Sequence, residues 1–278
     1  MTLACRLLLL ETVGYPAGSP AARLGTLCSR AALPGTEGCK MRSQNAFLSL
    51  LSDADFELLR PDLKRCQLHR NTLLVNQGQR TKRVYFPETG FISMVVRLAD
   101  WGQIEAAGIV GPDGIVGGAA AFGARKSLNS ALIQTEGTAL WIGVDRIRHA
   151  VAASASLRER LYFADQLLFL QAQQSAACNA RHTVKQRLCR WLLRARDVLQ
   201  SNELPLTQEF LSQMLGVRRT SVTLTARHLQ DAGLIKYRHG RVRSSDMDAL
   251  EAACCGCHEA IKAQQALLRA ETQLASSA

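Results

Sequence analysis

Glycine divides this chain into two kinds of polymer. Eleven glycines fall between Gly78 and Gly143, whereas Val144 to Leu215 contains none and has Pro205 as its sole proline. Glycine punctuates turns and its absence permits long helices, so the first stretch reads as β and the second as helical. Six short segments rich in Val and Ile, 72–76, 82–86, 91–98, 103–110, 130–135 and 138–143, alternate with turn signals such as Asn76-Gln77-Gly78, Asp100-Trp101-Gly102, Pro112-Asp113-Gly114 and Glu136-Gly137. Short strands at regular spacing imply an antiparallel barrel or jelly roll. Ahead of them, Ser52 to Asp55 offers a cap for a short helix carrying Phe56, Leu58 and Leu59.

The glycine-free stretch predicts two helices. Over about 155–180, Leu157, Leu161, Ala164, Leu168, Gln171, Ser175 and Cys178 step by four and three, the a/d pattern of a coiled coil. They are read as a dimer interface; the alternative is a single buried core helix, since Phe163, Leu167, Phe169 and Leu170 make other faces apolar too. A second helix, about 182–199, sets Val184, Leu188, Trp191, Leu192 and Leu193 against a basic face.

Charge narrows the partner. The 278 residues carry a formal +11, and between Arg181 and Arg243 thirteen basic residues face four acidic ones, so most of the excess lies in one segment. Such a concentration suits a polyanion, although a solvated basic face is the plainer alternative. No apolar run approaches the roughly 20 residues of a membrane span, so no membrane partner and a cytoplasmic location are expected.

That basic segment holds a motif. Thr207 can cap a helix whose inner face is Phe210, Leu211, Met214 and Leu215; Gly216 supplies a left-handed turn; Val217 plugs the corner; Val222, Ala226 and Leu229 pack a second helix, which Gly233 ends. This leaves Arg218, Arg219, Thr220 and Thr223 outward as DNA base-reading residues, because a recognition helix presents its N-terminal residues to the major groove. Lys236-Tyr237-Arg238-His239-Gly240-Arg241-Val242-Arg243 reads as a β-hairpin wing. Thr207, Arg227, Lys236, Arg238, Arg241 and Arg243 are the phosphate-contact candidates. The alternative is a helical hairpin with a charged surface.

The expected fold class is therefore α+β. A β-roll occupies 46–150, a long dimerisation helix 155–180 and a winged helix-turn-helix 182–245. A leader at 1–40, mixed in Gly, Pro, Ala and Ser, is expected to be disordered, with Met41 an alternative start, and 246–278 is read as a C-terminal tail. The order of parts resembles the Crp/Fnr family of regulators over about residues 46–245. The resemblance is most specific in Leu206-Thr207-Gln208, Gly216, Arg219, Val222, Leu229 and Gly233-Leu234-Ile235. Ala177-Cys178-Asn179-Ala180-Arg181-His182 with Arg187-Leu188-Cys189-Arg190-Trp191-Leu192-Leu193 looks like a subgroup common in alpha-proteobacteria. The resemblance implies a homodimer on a pseudo-palindrome of double-stranded DNA, a cyclic-nucleotide-binding-like β-roll and RNA polymerase as a partner.

The sensor chemistry fits that family less well. Its nucleotide-binding members pair Gly-Glu with a later Arg and Ser or Thr; here the nearest match is Gly117-Gly118 with Leu128-Asn129-Ser130, and no glutamate occurs between Glu105 and Glu136. Gly114, Gly117, Gly118, Asn129 and Ser130 remain effector-loop candidates, a Gly-rich loop being able to hold an anion on its backbone N–H groups, but cyclic AMP is not expected and the effector is unknown. Nine cysteines without regular spacing do not form a disulfide framework. Cys5, Cys28 and Cys39 are too far apart to resemble the family's iron–sulfur ligands. Cys254-Cys255-Gly256-Cys257-His258 has soft ligands at close spacing and could make a zinc site, but adjacent ligands constrain the geometry and no second pair is nearby, so free thiols are expected and no cofactor or metal is assigned. No Ser/His/Asp order, paired carboxylates or Walker loop suggests an enzyme. A redox- or ligand-responsive module acting through protein contacts is the competing reading, which the basic wing disfavours.

Overall fold

The computed structural model describes residues 43–98, 102–123 and 126–274, with backbone alone at 102–107 and 267–274. The expected leader at 1–40, with Cys5, Cys28 and Cys39, lies outside the described residues. Two short helices come first, α1 (Ala46–Ser49) and α2 (Asp53–Leu59). Asn45 caps α1 with its Oδ1 and donates Nδ2 to the carbonyls of Pro87 and Gly114, both at 2.9 Å. Ser52 caps α2 as the sequence predicts.

Seven strands follow: β1 (Lys64–Leu68), β2 (Leu73–Val75), β3 (Arg83–Pro87), β4 (Ile92–Leu98), β5 (Gly102–Val110), β6 (Ser130–Ile133) and β7 (Gly137–Gly143). They form two antiparallel sheets, ordered β1-β7-β3 and β2-β6-β4-β5. Six of the seven coincide with the expected segments. The addition is β1, whose Lys64-Arg65-Cys66-Gln67-Leu68 buries only Cys66 and Leu68. A strand with two inward residues and no β-branched one carries little periodic signal.

The helical half comprises α3 (Val144–Ala153), α4 (Ala155–Arg181) and α5 (Val184–Leu199), then β8 (Glu203–Leu204), α6 (Gln208–Leu215), α7 (Arg219–Asp231), β9 (Ile235–Arg238) and β10 (Arg241–Ser244). Thr183 opens α5 with a reciprocal capping box to Gln186. No helix among the described residues is long and apolar enough to cross a membrane.

The structure bears on two readings. The first concerns the seam of α4. Leu157 and Leu161 are fully buried in a cluster with Phe86, Leu140, Ile142 and Ile147, and Ala164 packs against it. Leu168 packs on the neighbouring cluster of Ile92, Val110 and Ile133. Gln171 lies beside Gly108 of β5, Ser175 accepts from Arg190 at 3.4 Å, and Cys178 is wholly buried. Leu157, Leu161, Gln171, Ser175 and Cys178 are thus buried by the chain's own β-roll and C-terminal helices, and Ala164 and Leu168 are half-buried against them. A four-three pattern identifies a buried stripe but not what buries it. The solvent face of α4 carries Tyr162, Phe169, Gln173 and Ala176 instead.

The second concerns the C-terminus. Residues expected to be a tail form α8 (Met247–Ala252) and α9 (Cys257–Leu274), and α9 packs on α4. Cys255 and Cys257 join Cys178 in a buried cluster, so a thiol far away in the chain lies close to them in space. Burial pushes the Cys178 thiol up to about 12, against the pull of the Arg190 guanidinium, and pushes Cys189 up to about 11.

Candidate DNA-binding face

The helix-turn-helix is assembled by caps and one inner stripe. Thr207 Oγ1 accepts from the Phe210 amide at 3.1 Å and starts α6. Gly216, at φ 60°, ends α6 in the left-handed region, and Arg218 in extended backbone starts α7. Phe210, Leu211, Met214 and Leu215 from α6 meet Val222, Ala226 and Leu229 from α7 in one cluster. Arg187 of α5 donates to the carbonyl of Leu215 at the end of α6. With that stripe inward, Arg218, Arg219, Thr220, Thr223 and Arg227 are all exposed, as the sequence predicts.

Two further residues belong to this face. Leu224 is 60% exposed beside Thr220, Thr223 and Arg227 at helical spacing, so it offers an apolar contact of the kind that meets a thymine methyl. Gln208, the first residue of α6, accepts from Thr223 Oγ1 at 3.0 Å and from Arg219 Nε at 3.4 Å. Its own backbone N–H donates to the Tyr237 hydroxyl, whose pKa burial raises while the Arg219 charge and this bond oppose the rise. Gln208 thus braces α7 and touches the wing. Its partners lie eleven and fifteen residues on, so no helical periodicity reveals them; Leu224 was legible as an apolar residue outside the inner stripe.

The wing is a two-residue hairpin. β9 and β10 pair from Arg238↔Arg241 to Ile235↔Ser244, with His239 at φ 49° and Gly240 at φ 72° between them. Two successive positive φ values give the turn that matches strand twist. Val242 and Ile235 point inward, while Lys236, Arg238, Arg241 and Arg243 are exposed. Arg241 is ion-paired with Glu203 of β8 at 2.9 Å, so part of its charge is already answered. Thr207 packs at the wing tip, its methyl 3.3 Å from where a Cβ on Gly240 would stand.

The effector-loop candidates also make contacts within the fold. Gly114 accepts from Asn45, Gly117 at φ 86° opens a short 3-10 turn at 118–122, and the Ser130 hydroxyl accepts from the Gln77 amide at 2.9 Å. The Asn129 carbonyl accepts from Ser127 Oγ at 2.7 Å. Gly118 is buried beside Asp165 of α4, whose carboxylate accepts the Ala119 N–H; burial raises the Asp165 pKa and that bond partly offsets it. A carboxylate of the chain itself therefore holds a backbone donor that a bound anion would otherwise claim. Between β5 and α4, a cavity lined by Val110, Ile115, Leu168 and Gln171 measures about 10 Å³, room for about one water.

Residues 186–253 match the Crp-like helix-turn-helix domain. The chain carries that domain on the fold of the Crp/Fnr regulators. FixK2 from Bradyrhizobium japonicum superposes with a TM-score of 0.61 at 14% identity, covering 69% of this chain and 98% of its own. A CRP-family transcriptional regulator from Thermus thermophilus gives 0.59 at 21%, covering 67% and 95%. The c-di-GMP-responsive global regulator CLP from Xanthomonas campestris gives 0.60 at 17%, covering 70% and 100%. No curated protein matches the sequence. The β-roll and helix-turn-helix expected from the resemblance are thus both present.

Proposed function

We propose that this Crp-like protein is a homodimeric, sequence-specific regulator of transcription that reads a pseudo-palindromic operator with α7. The observation that carries the reading is the convergence on one exposed surface of Arg218, Arg219, Thr220, Thr223 and Leu224 with the basic wing. Arginine at the start of a recognition helix can pair bidentately with guanine, worth about 1–3 kcal/mol of discrimination. The wing and Arg227 grip phosphates and fix the register without specifying sequence. Thr207, a helix cap at the wing tip, offers its amide end of α6 to the backbone.

A twofold operator requires two copies. The exposed face of α4, with Tyr162 52% and Phe169 57% accessible, supports a helix-to-helix dimer in place of the seam first expected. RNA polymerase is the expected protein partner once DNA is bound. Asp165 at the turn after Gly117 opposes an anion there, which supports a β-roll that does not take cyclic AMP. CLP's response to c-di-GMP makes cyclic dinucleotides a class to titrate. Selection of bound fragments from random DNA tests the function. The expected result is a two-half-site consensus with centres one helical turn apart, which Arg219→Ala relaxes at one base pair per half-site. A pool with no enriched sequence, or a consensus unchanged in Arg219→Ala, overturns it.

A further inference from the structure

The buried thiol cluster under α4 has the geometry of a metal centre. Cys178, His182, Cys255 and Cys257 bring one ligand atom each within 4.8 Å of one another. Cys178 Sγ lies 3.6 Å from Cys255 Sγ, and Cys257 Sγ lies 3.5 Å from His182 Nδ1. A tetrahedron with metal–sulfur bonds of about 2.3 Å and metal–nitrogen bonds of about 2.0 Å has sulfur–sulfur edges of roughly 3.8 Å and sulfur–nitrogen edges of roughly 3.5 Å. These two edges agree with it, and the remaining ones stay within 4.8 Å. Separations this short leave room for one ion and exclude an inserted iron–sulfide cluster.

Local structure aims these four donors. Cys178 and His182 are four residues apart at the end of α4 and so share its face, where His182 is the C-cap. Cys255 precedes α9, and Cys257 is its first residue, where the helix dipole favours a thiolate. Cys178 is fully buried and Cys255 and Cys257 are each 6% exposed, so the donors are withdrawn from water.

Charge supplies an independent observation. Arg190 of α5 is only 4% exposed, yet its Nε and Nη2 have no hydrogen-bond partner, and Nη1 reaches only Ser175, one turn before Cys178. Its positive charge acts on Cys178 and on Cys254. A buried guanidinium without a counter-charge is costly. A divalent ion held by three thiolates and one neutral imidazole carries a net charge of about −1, the charge that Arg190 lacks.

We infer that Cys178, His182, Cys255 and Cys257 form a structural Cys3His site for one thiophilic divalent cation of the zinc class. Four protein ligands close the coordination shell, and sulfur-rich tetrahedral sites select zinc over oxygen-seeking cations. The site joins the residues just before α5 to those just after α8. It therefore ties both chain ends of the DNA-binding domain to α4.

Elemental analysis of the reduced full-length protein, reconstituted with zinc and passed over a desalting column, tests this without DNA, so its outcome is separate from that of the operator reading. One zinc per chain is expected, together with a tetrahedral, thiolate-bound spectrum when cobalt(II) replaces it. Cys255→Ser and Cys257→Ser should each hold zinc at least about tenfold more weakly against a chromophoric chelator, while Cys254→Ser, whose thiol donates to the Cys255 carbonyl at 3.2 Å, should retain it. Removing the ion should speed amide exchange at 176–183 and 254–258. Wild-type protein that stays metal-free, an octahedral cobalt spectrum, a Cys178–Cys255 disulfide in its place, or equal loss in Cys254→Ser overturns the assignment. Unchanged exchange overturns the tie to α4.

Discussion

Helices α7 and α4 each bury one regular stripe and expose another, but they do so among different neighbours. In α7 the buried set is Val222, Ala226 and Leu229, and the rest of the helix is polar except Leu224. One apolar face leaves one way to pack, so the outward residues follow from the inward ones. In α4 apolar residues occupy several faces, and its stripes meet a sheet, a second sheet and α9 in turn. Periodicity there says which residues are buried together and leaves open which surface does the burying. The contrast teaches that an exposed face is legible when its helix has a single inside, and that the neighbours of a helix are not legible when it has two.

Exchanging the roles of the two stripes of α4 would break this comparison most forcefully. Leu161→Ala should lower unfolding free energy by about 2–5 kcal/mol in urea titrations, because a fully buried leucine leaves a cavity in the chain's own core. A loss under about 0.5 kcal/mol with a shift to monomer would return Leu161 to the dimer seam. On the opposite stripe, Phe169→Asp should leave intrinsic stability nearly unchanged but weaken dimerisation at least about tenfold, roughly 1.4 kcal/mol. Sedimentation across a concentration series reads this, and an undiminished dimer would move the interface off that face.

Two smaller effects sharpen the α7 side. Gln208→Ala removes the acceptor shared by Thr223 and Arg219, so operator affinity should fall by about 0.5–1.5 kcal/mol while affinity for random DNA holds. Equal loss on both DNAs would make Gln208 a general contact. Arg243→Ala should flatten the salt dependence of binding by about one counterion per site. Arg241→Ala should flatten it less, since Arg241 already faces Glu203, and an equal change would show that the ion pair opens freely on DNA.

Strand segments were readable because glycine turns separated short Val- and Ile-rich runs; β1 was not, having two inward residues in five. That Arg218, Arg219, Thr220 and Thr223 lie outward was readable from caps and inner stripe. Gln208 was not, because its bonds cross between helices. The metal-ligating group was half visible: Cys255 and Cys257 stood out by their spacing, whereas Cys178 and His182 were disguised as members of a long helix. Nothing local marks residues 77 positions apart as neighbours until α9 is seen to fold back on α4.

The contact between the two halves carries a last consequence. Phe91 and Phe210 lie with ring centroids 6.1 Å apart, Ser93 donates to the Met214 sulfur, and Arg194 is ion-paired with Asp113 at 2.7 Å. Phe91, Val95 and Ile109 of the sheet thus sit in one continuous apolar cluster with α5, α6 and α7. A side chain on Gly111 would overlap Val198 at 2.1 Å, so the two halves approach without a solvent layer there. Heat should therefore melt the β-roll and the helix-turn-helix together, in a single cooperative calorimetric peak, because the apolar cluster that packs α5, α6 and α7 is completed by the sheet.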